Sequence, residues 1–133
     1  MCAVTRAGYW TEFEIKLTRQ DFLKDKAKDR KVYDRDDIGL IKVIENKHEL
    51  LTSTDRGPAR FYYAVKDGVA DTKDIPTWAG LLVFKWERYD ERDDGRWVVS
   101  EVKKAGLRHR RKDEGLINQM YRAAWYRGIG KLL

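Results

Sequence analysis

The chain of 133 residues predicts an α/β or α+β fold, a small mixed β-sheet flanked by helices, and three features carry that expectation. An alternating segment runs straight into a capped helix. Two further β-rich runs follow a Gly-Pro breaker, and an Asp-Asp-Gly turn separates the last two strands. With 42% hydrophobic and 12% aromatic residues the chain can bury one core, so residues 1–133 read as a single domain.

Between Tyr9 and Leu17 the side chains alternate. Tyr9, Thr11, Phe13, Ile15 and Leu17 point one way, and Trp10, Glu12, Glu14 and Lys16 the other, which is a strand. Thr18 is an N-cap with Asp21 three positions on, and Phe22, Leu23 and Ala27 give a narrow apolar stripe for a helix reaching about Lys31. The stretch Val32–Ser53 opens as a charged loop around Asp34-Arg35-Asp36-Asp37, and its IGLIKVIENKHELL part fits either a helix or a strand followed by a helix. After Arg56-Gly57-Pro58, RFYYAV (60–65) is a buried strand, and GLLVFKWERY from Gly80 is another. Asp93-Asp94-Gly95 makes a hairpin-type turn into an antiparallel strand from Arg96 to Val102. In the last segment Leu116, Ile117, Met120, Tyr121, Ala124 and Trp125 recur at helical spacing, which places Tyr121 and Trp125 in the core.

Charge and cysteine content narrow the function classes. The 28 Lys and Arg against 22 Asp and Glu leave +6, which favours a polyanionic partner, nucleic acid first. Cys2 is the sole cysteine, so an internal disulfide and a cysteine-built metal site are excluded. There is no long apolar run and no signal-peptide pattern; the expectation is a soluble, cytoplasmic protein without membrane contact.

Glu12, Glu14 and Lys16 are the sharpest local feature. Residues two apart on a strand lie about 6.6–6.8 Å apart with parallel side chains, so the three charges can converge above the sheet. Spacing alone favours a solvent-facing strand with cross-strand ion pairs, where a substitution would cost within about 0.5 kcal/mol. The alternative is a site for Mg²⁺, which takes carboxylate oxygens, beside a lysine serving water or phosphate. Asp21 reads first as a helix-start carboxylate and His48 as a surface or packing residue. Lys103, Lys104, Arg108, Arg110, Arg111 and Lys112, with His109 among them, form a basic segment suited to salt-sensitive phosphate contact. No zinc finger or RNA-recognition signature accompanies it, so base-specific reading is not expected from this chain alone.

The run YWTEFEIKLTRQDFLKD, then GPARFYYAV and IPTWAGLLVF, resembles the MmcB-like and phage-encoded branch of the PD-(D/E)XK nuclease superfamily, over roughly Ala3 to Phe84. What the resemblance implies is a restriction-endonuclease-like core and a nuclease or DNA-processing hydrolase of phage or DNA-repair type. It also implies DNA as partner, room for a protein partner, and a place in the host cytoplasm if phage-encoded. Glu14-Ile15-Lys16 fills the family's E-x-K motif: Glu14 would bind Mg²⁺ (or Mn²⁺), with Glu12 as a further ligand, and Lys16 would serve the water or the scissile phosphate. Asp21 and His48 would support them, and Lys47-His48 resembles a family Lys-His pair. Two departures stand out. The superfamily places an aspartate on the preceding strand, whereas no acidic residue precedes Glu12: either the sequence as given starts after that aspartate, or Glu12 substitutes for it, or the fold is kept by a catalytically silent binding protein, which is the alternative reading. The stretch Val32–Glu45 is longer than the resemblance leads one to expect and reads as an insertion.

Overall fold

The computed structural model describes residues 2–4, 8–36, 39–53, 57–112, 115, 118–119 and 121–123. In chain order it forms β1 (Cys2–Val4), β2 (Trp10–Lys16), α1 (Arg19–Lys24), a 3-10 turn (Asp25–Ala27), β3 (Asp29–Asp36), β4 (Gly39–Asn46) and α2 (Lys47–Ser53). Then come β5 (Arg60–Lys66), a second 3-10 turn (Thr72–Asp74), β6 (Ala79–Glu87) and β7 (Arg96–Lys103). Five strands lie in the order β1-β2-β5-β6-β7; β2, β5 and β6 are parallel and the two edge strands antiparallel, a mixed sheet of the α+β class.

The strand-to-helix passage follows the expectation: the Asp21 N–H donates to Thr18 Oγ1 at 3.1 Å, capping α1. The helix stops at Lys24 rather than near Lys31. Of its expected stripe only Phe22 is buried, while Leu23 is half-exposed and Ala27 exposed, so further turns would bury nothing apolar and a short helix is not self-sustaining. Val32–Asp36, expected as loop, lies in β3, where antiparallel pairing with β4 satisfies the backbone. The following segment takes the strand-then-helix option. The ends of this hairpin meet, Lys47 N–H donating to Lys28 O at 2.9 Å, so it can be inserted without displacing what flanks it.

Register decides which face is covered. Glu12, Glu14 and Lys16 lie opposite Phe61, Tyr63 and Val65, which lie opposite Ala79, Leu81 and Val83. Onto this face pack Phe22 of α1, Leu50 and Leu51 of α2, and Val69 and Ile75. The charged face of β2 is therefore the covered one, not the solvent-facing one, and its apolar face, with Phe13 and Ile15, looks outward. Gly80 on that outer face is a packing requirement: a Cβ there would sit 2.5 Å from the Tyr62 ring and 2.6 Å from Ala105 N, where the chain crosses after β7.

Tyr121, expected in the core, is 68% exposed, and nothing among the described residues covers it. Leu116, Ile117, Met120, Ala124 and Trp125 fall outside the described residues. Among the described residues no helix is long and apolar enough to cross a membrane.

Candidate functional site

At the end of β2 the sheet, the 3-10 turn and the start of α2 bring six polar side chains together. Lys16 is 1% exposed; its Nζ lies 2.8 Å from Glu14 Oε1 and 3.0 Å from Asp25 Oδ1. Asp25, also 1% exposed, reaches the cluster because the 3-10 turn follows α1 directly, three residues after buried Phe22 and so on the same helical face. Lys47, 3% exposed, pairs with Glu14 Oε2 and lies 2.7 Å from Asp25 Oδ2. Its ammonium also stands over the rings of Phe61 and Tyr63, 4.8 and 5.5 Å from their centroids. Half-exposed Lys28 closes the outer side, 3.4 Å from Glu14 and 3.6 Å from Asp25.

The hydrogen bonds fix the protons. Tyr63 Oη donates its one proton to Asp25 Oδ2 at 2.5 Å, so His48 Nε2, 2.9 Å from that same Oη, must be the donor between them. Asn46 sets the position of His48: its Oδ1 accepts from the backbone N–H groups of His48 and Glu49, and its Nδ2 donates to Lys26 O. Asp25 Oδ1 has no hydrogen bond, although Lys16 Nζ is within ion-pair range. Among the described residues no group of three or more His, Cys, Asp or Glu side chains is placed to hold a metal ion, and the two carboxylates here, Asp25 and Glu14, face lysine ammonium groups.

Burial alone would raise the Asp25 pKa, but hydrogen bonds from His48, Lys47 and Tyr63 hold it far below the usual carboxylate range. Glu14 is likewise lowered, its burial outweighed by Lys16 and Lys47. For Lys16, burial would depress the value, and the Glu14 and Asp25 carboxylates instead raise it. These directions set the pH dependence. Depressed carboxylates stabilise the fold above their unfolded values near pH 4 and lose that contribution as pH falls further; a raised lysine stabilises below about pH 10.4 and loses it as pH rises. Denaturant titrations should show a plateau from about pH 5 to 9 with a fall on both sides, and Asp25→Asn should flatten the acid limb.

The sequence-derived residues are distributed as follows. Glu14 and Lys16 sit in the cluster, and His48 borders it, 3.4 Å from Asp25 and edge-on to Trp78. Asp21 is half-exposed, its carboxylate 3.8 Å from Lys16 Nζ. Glu12 lies one pleat towards the strand start on the same face, opposite Cys2 and Phe61. Asp25, Tyr63 and the full role of Lys47 escaped the sequence reading. A charge at i+3 from the one buried helix position, and the alignment of Tyr63 with Glu14 across parallel strands, are the signals that mark them.

The basic segment divides into two. Arg108 gives its guanidinium to Leu51 O (2.8 Å) and Pro58 O (2.6 Å), and Lys103 Nζ donates to Pro76 O (2.7 Å), so these two tie the chain to α2 and to neighbouring loops. His109 does the same, donating from Nε2 to Gly57 O while Nδ1 accepts from Arg111 N. Lys104, Arg110, Arg111 and Lys112 are exposed. No family model, curated protein or solved structure matches the chain.

Proposed function

We propose that this protein is a Mg²⁺- or Mn²⁺-dependent phosphodiesterase acting on DNA, built on a restriction-endonuclease-like core of the PD-(D/E)XK kind. The observation that carries the reading is the pair of carboxylates, Glu14 and buried Asp25, converging on buried Lys16 with Asp25 Oδ1 left without a hydrogen bond. Asp25 supplies, from the other side of the cluster, the second carboxylate that the superfamily draws from an upstream strand. Glu14 and Asp25 would hold the cation; when bound, it supplies Lewis-acid stabilisation of phosphoryl charge and lowers the pKa of its water. Lys16 is held protonated, so it donates to the scissile phosphate or to the attacking water and does not act as general base. Tyr63 and His48 keep the Asp25 carboxylate fixed through Oδ2. Lys104, Arg110, Arg111 and Lys112 supply phosphate contacts.

One observation favours a second reading, a catalytically silent DNA-binding protein on this fold. Two buried lysines already neutralise the two carboxylates, so the cluster is electrically balanced without a cation. Plasmid cleavage in Mg²⁺ and Mn²⁺, with Mn²⁺ titration calorimetry alongside, separates the two. The enzyme reading expects cleavage that falls at least about 100-fold in Glu14→Gln and Lys16→Met, with Mn²⁺ binding lost in Glu14→Gln. DNA binding with neither cleavage nor Mn²⁺ binding establishes the second reading. On either reading, neutralising Arg110, Arg111 and Lys112 lowers the salt slope of DNA affinity by about 2–3, at about 0.9 per phosphate contact on duplex DNA.

A further inference from the structure

On the outer face of the sheet, where β2 and β5 begin, lies a hollow of about 280 Å³ lined by Tyr9, Thr11, Ala59, Arg60, Leu107 and Arg110. Three stretches far apart in sequence build it, and backbone hydrogen bonds hold them together: Ala59 N–H donates to Trp10 O at 2.9 Å, and Arg108 N–H donates to Ala59 O at 2.8 Å. Side chains add to this. Arg108 also donates from its guanidinium to Leu51 O and Pro58 O, and His109 Nε2 donates to Gly57 O, so the segment that carries Leu107 and Arg110 is tied down between them. The walls are fixed without a ligand, as in most small-molecule sites.

The lining has two kinds of chemistry. Arg60, half-buried, gives one of its guanidinium donors to Ala105 O at 2.6 Å, which fixes the group at the wall, and exposed Arg110 brings a second guanidinium. Lys112 adds a third positive charge, its Nζ 6.0 Å from the centre of the Tyr9 ring. Among the described residues that line the hollow there is no Asp or Glu, and the Glu101 carboxylate on the same sheet face accepts from the Tyr62 hydroxyl at 2.7 Å. Two guanidinium forks and the Thr11 hydroxyl suit the oxygens and the near-double charge of a phosphate monoester. Tyr9 and Leu107 supply an apolar wall, and an aromatic side chain takes a planar ring against its face. The volume stands at the small end of ligand pockets, which begin near ~300 Å³, so it admits one nucleotide and not a duplex. Thr11 precedes Lys16 by about 17 Å along β2, and Lys16 faces the other side of the sheet, so the hollow is separate from the Glu14–Asp25 cluster.

We propose that this hollow binds a nucleoside 5′-monophosphate, with the phosphate held between Arg60 and Arg110 and the base against Tyr9 and Leu107. A free nucleotide and the phosphorylated end of a DNA strand present this same chemistry. The proposal is independent of metal binding and of cleavage at the Glu14–Asp25 cluster.

Calorimetry on the full chain, in buffer without divalent metal, compares dTMP, thymidine and inorganic phosphate. The nucleotide should bind at least about tenfold more tightly than either fragment, because it alone engages both the arginines and the apolar wall. Arg110→Gln and Tyr9→Leu, neither of which belongs to the buried core, should each weaken dTMP by about tenfold, and Tyr9→Leu should leave inorganic phosphate unchanged. Arg60→Lys, which keeps the charge and a donor for Ala105 O but loses the fork, should also weaken dTMP, with a urea melt to confirm that it folds. Arg111→Gln removes a neighbouring cation that does not line the hollow and should change dTMP affinity by less than about twofold. Fluorescence anisotropy with 5′-phosphorylated and 5′-hydroxyl oligothymidylate then identifies the source. A preference for the phosphorylated strand that Arg110→Gln removes assigns a strand end, and equal binding of the two strands beside tight dTMP binding assigns the free nucleotide; both uphold the site. Binding of dTMP no tighter than that of inorganic phosphate, or equal losses in Arg110→Gln and Arg111→Gln, overturns it, since a diffuse positive surface would give those results.

Discussion

Asp25→Ala should lose about 3–5 kcal/mol of stability, the largest effect expected of any single substitution outside the apolar core. The side chain is 1% exposed and faces Lys16 and Lys47, themselves 1% and 3% exposed. Removing it leaves two ammonium groups out of water, with Glu14 shared between them and half-exposed Asp21 at 3.8 Å from Lys16 alone, and Tyr63 loses the acceptor of its only proton. Asp21→Asn is the internal control: that carboxylate is half-exposed and 3.8 Å from Lys16, so its loss should stay within about 0.5 kcal/mol. Urea melts of the two variants against the parent, fitted with a common slope, measure both. A loss below about 1 kcal/mol for Asp25→Ala would mean that water enters the cluster and solvates the lysines.

The same numbers revise what β2 suggests in isolation. Alternation places Glu12, Glu14 and Lys16 together on one face, and that much is a property of the strand alone. Which face is covered is not. It depends on where α1 and α2 return, and Phe22, Leu50 and Leu51 close over the charged side. A substitution at Lys16 therefore removes a charge from a buried network and is no mild surface change; it cannot serve as a neutral background for activity measurements without a stability correction. Thr18 and RFYYAV were legible because each is a local decision of the backbone, made by a cap or a β-rich run; the antiparallel pairing of β6 and β7 was legible too, although the turn itself falls at Asp90–Asp93, ahead of Asp-Asp-Gly, with Gly95 at positive φ (86°) leading into β7. The segment 29–46 was not, since its charged residues carry no apolar period and the hairpin exists by pairing with itself. Asp25 belongs to the same class: a lone acidic residue at the end of a helix has no local signal of burial, and only the parallel register that sets Tyr63 beside Glu14 gives it a partner.

Replacing the buried charges together should reverse most of what their single removal costs. Lys16→Met, Asp25→Leu and Lys47→Met in one chain remove two positive charges and the one negative charge that both lie within 3.0 Å of, and leave apolar groups of similar length beside Phe61 and Tyr63. Glu14, partly exposed, keeps Lys28 at 3.4 Å, and the Tyr63 hydroxyl, which loses Asp25, regains an acceptor when neutral His48 takes the other tautomer and presents a bare Nε2 at 2.9 Å. Desolvating an ion network often outweighs its Coulombic gain, and well-packed apolar replacements of such networks range from neutral to stabilising by about 1–4 kcal/mol. The triple variant is therefore expected at or above parental stability, with each single variant well below it, and the double-mutant terms among the three strongly non-additive. It should also bind no Mn²⁺ and cleave no DNA. A cluster whose charges can be removed together without loss of stability is not retained for the fold, and its presence at the end of β2 is then explained by what Glu14, Asp25 and Lys16 do to a ligand. If instead the triple variant is as unstable as Asp25→Ala, the ion network itself holds α1, α2 and the sheet together, and the silent DNA-binding reading gains the stronger physical footing.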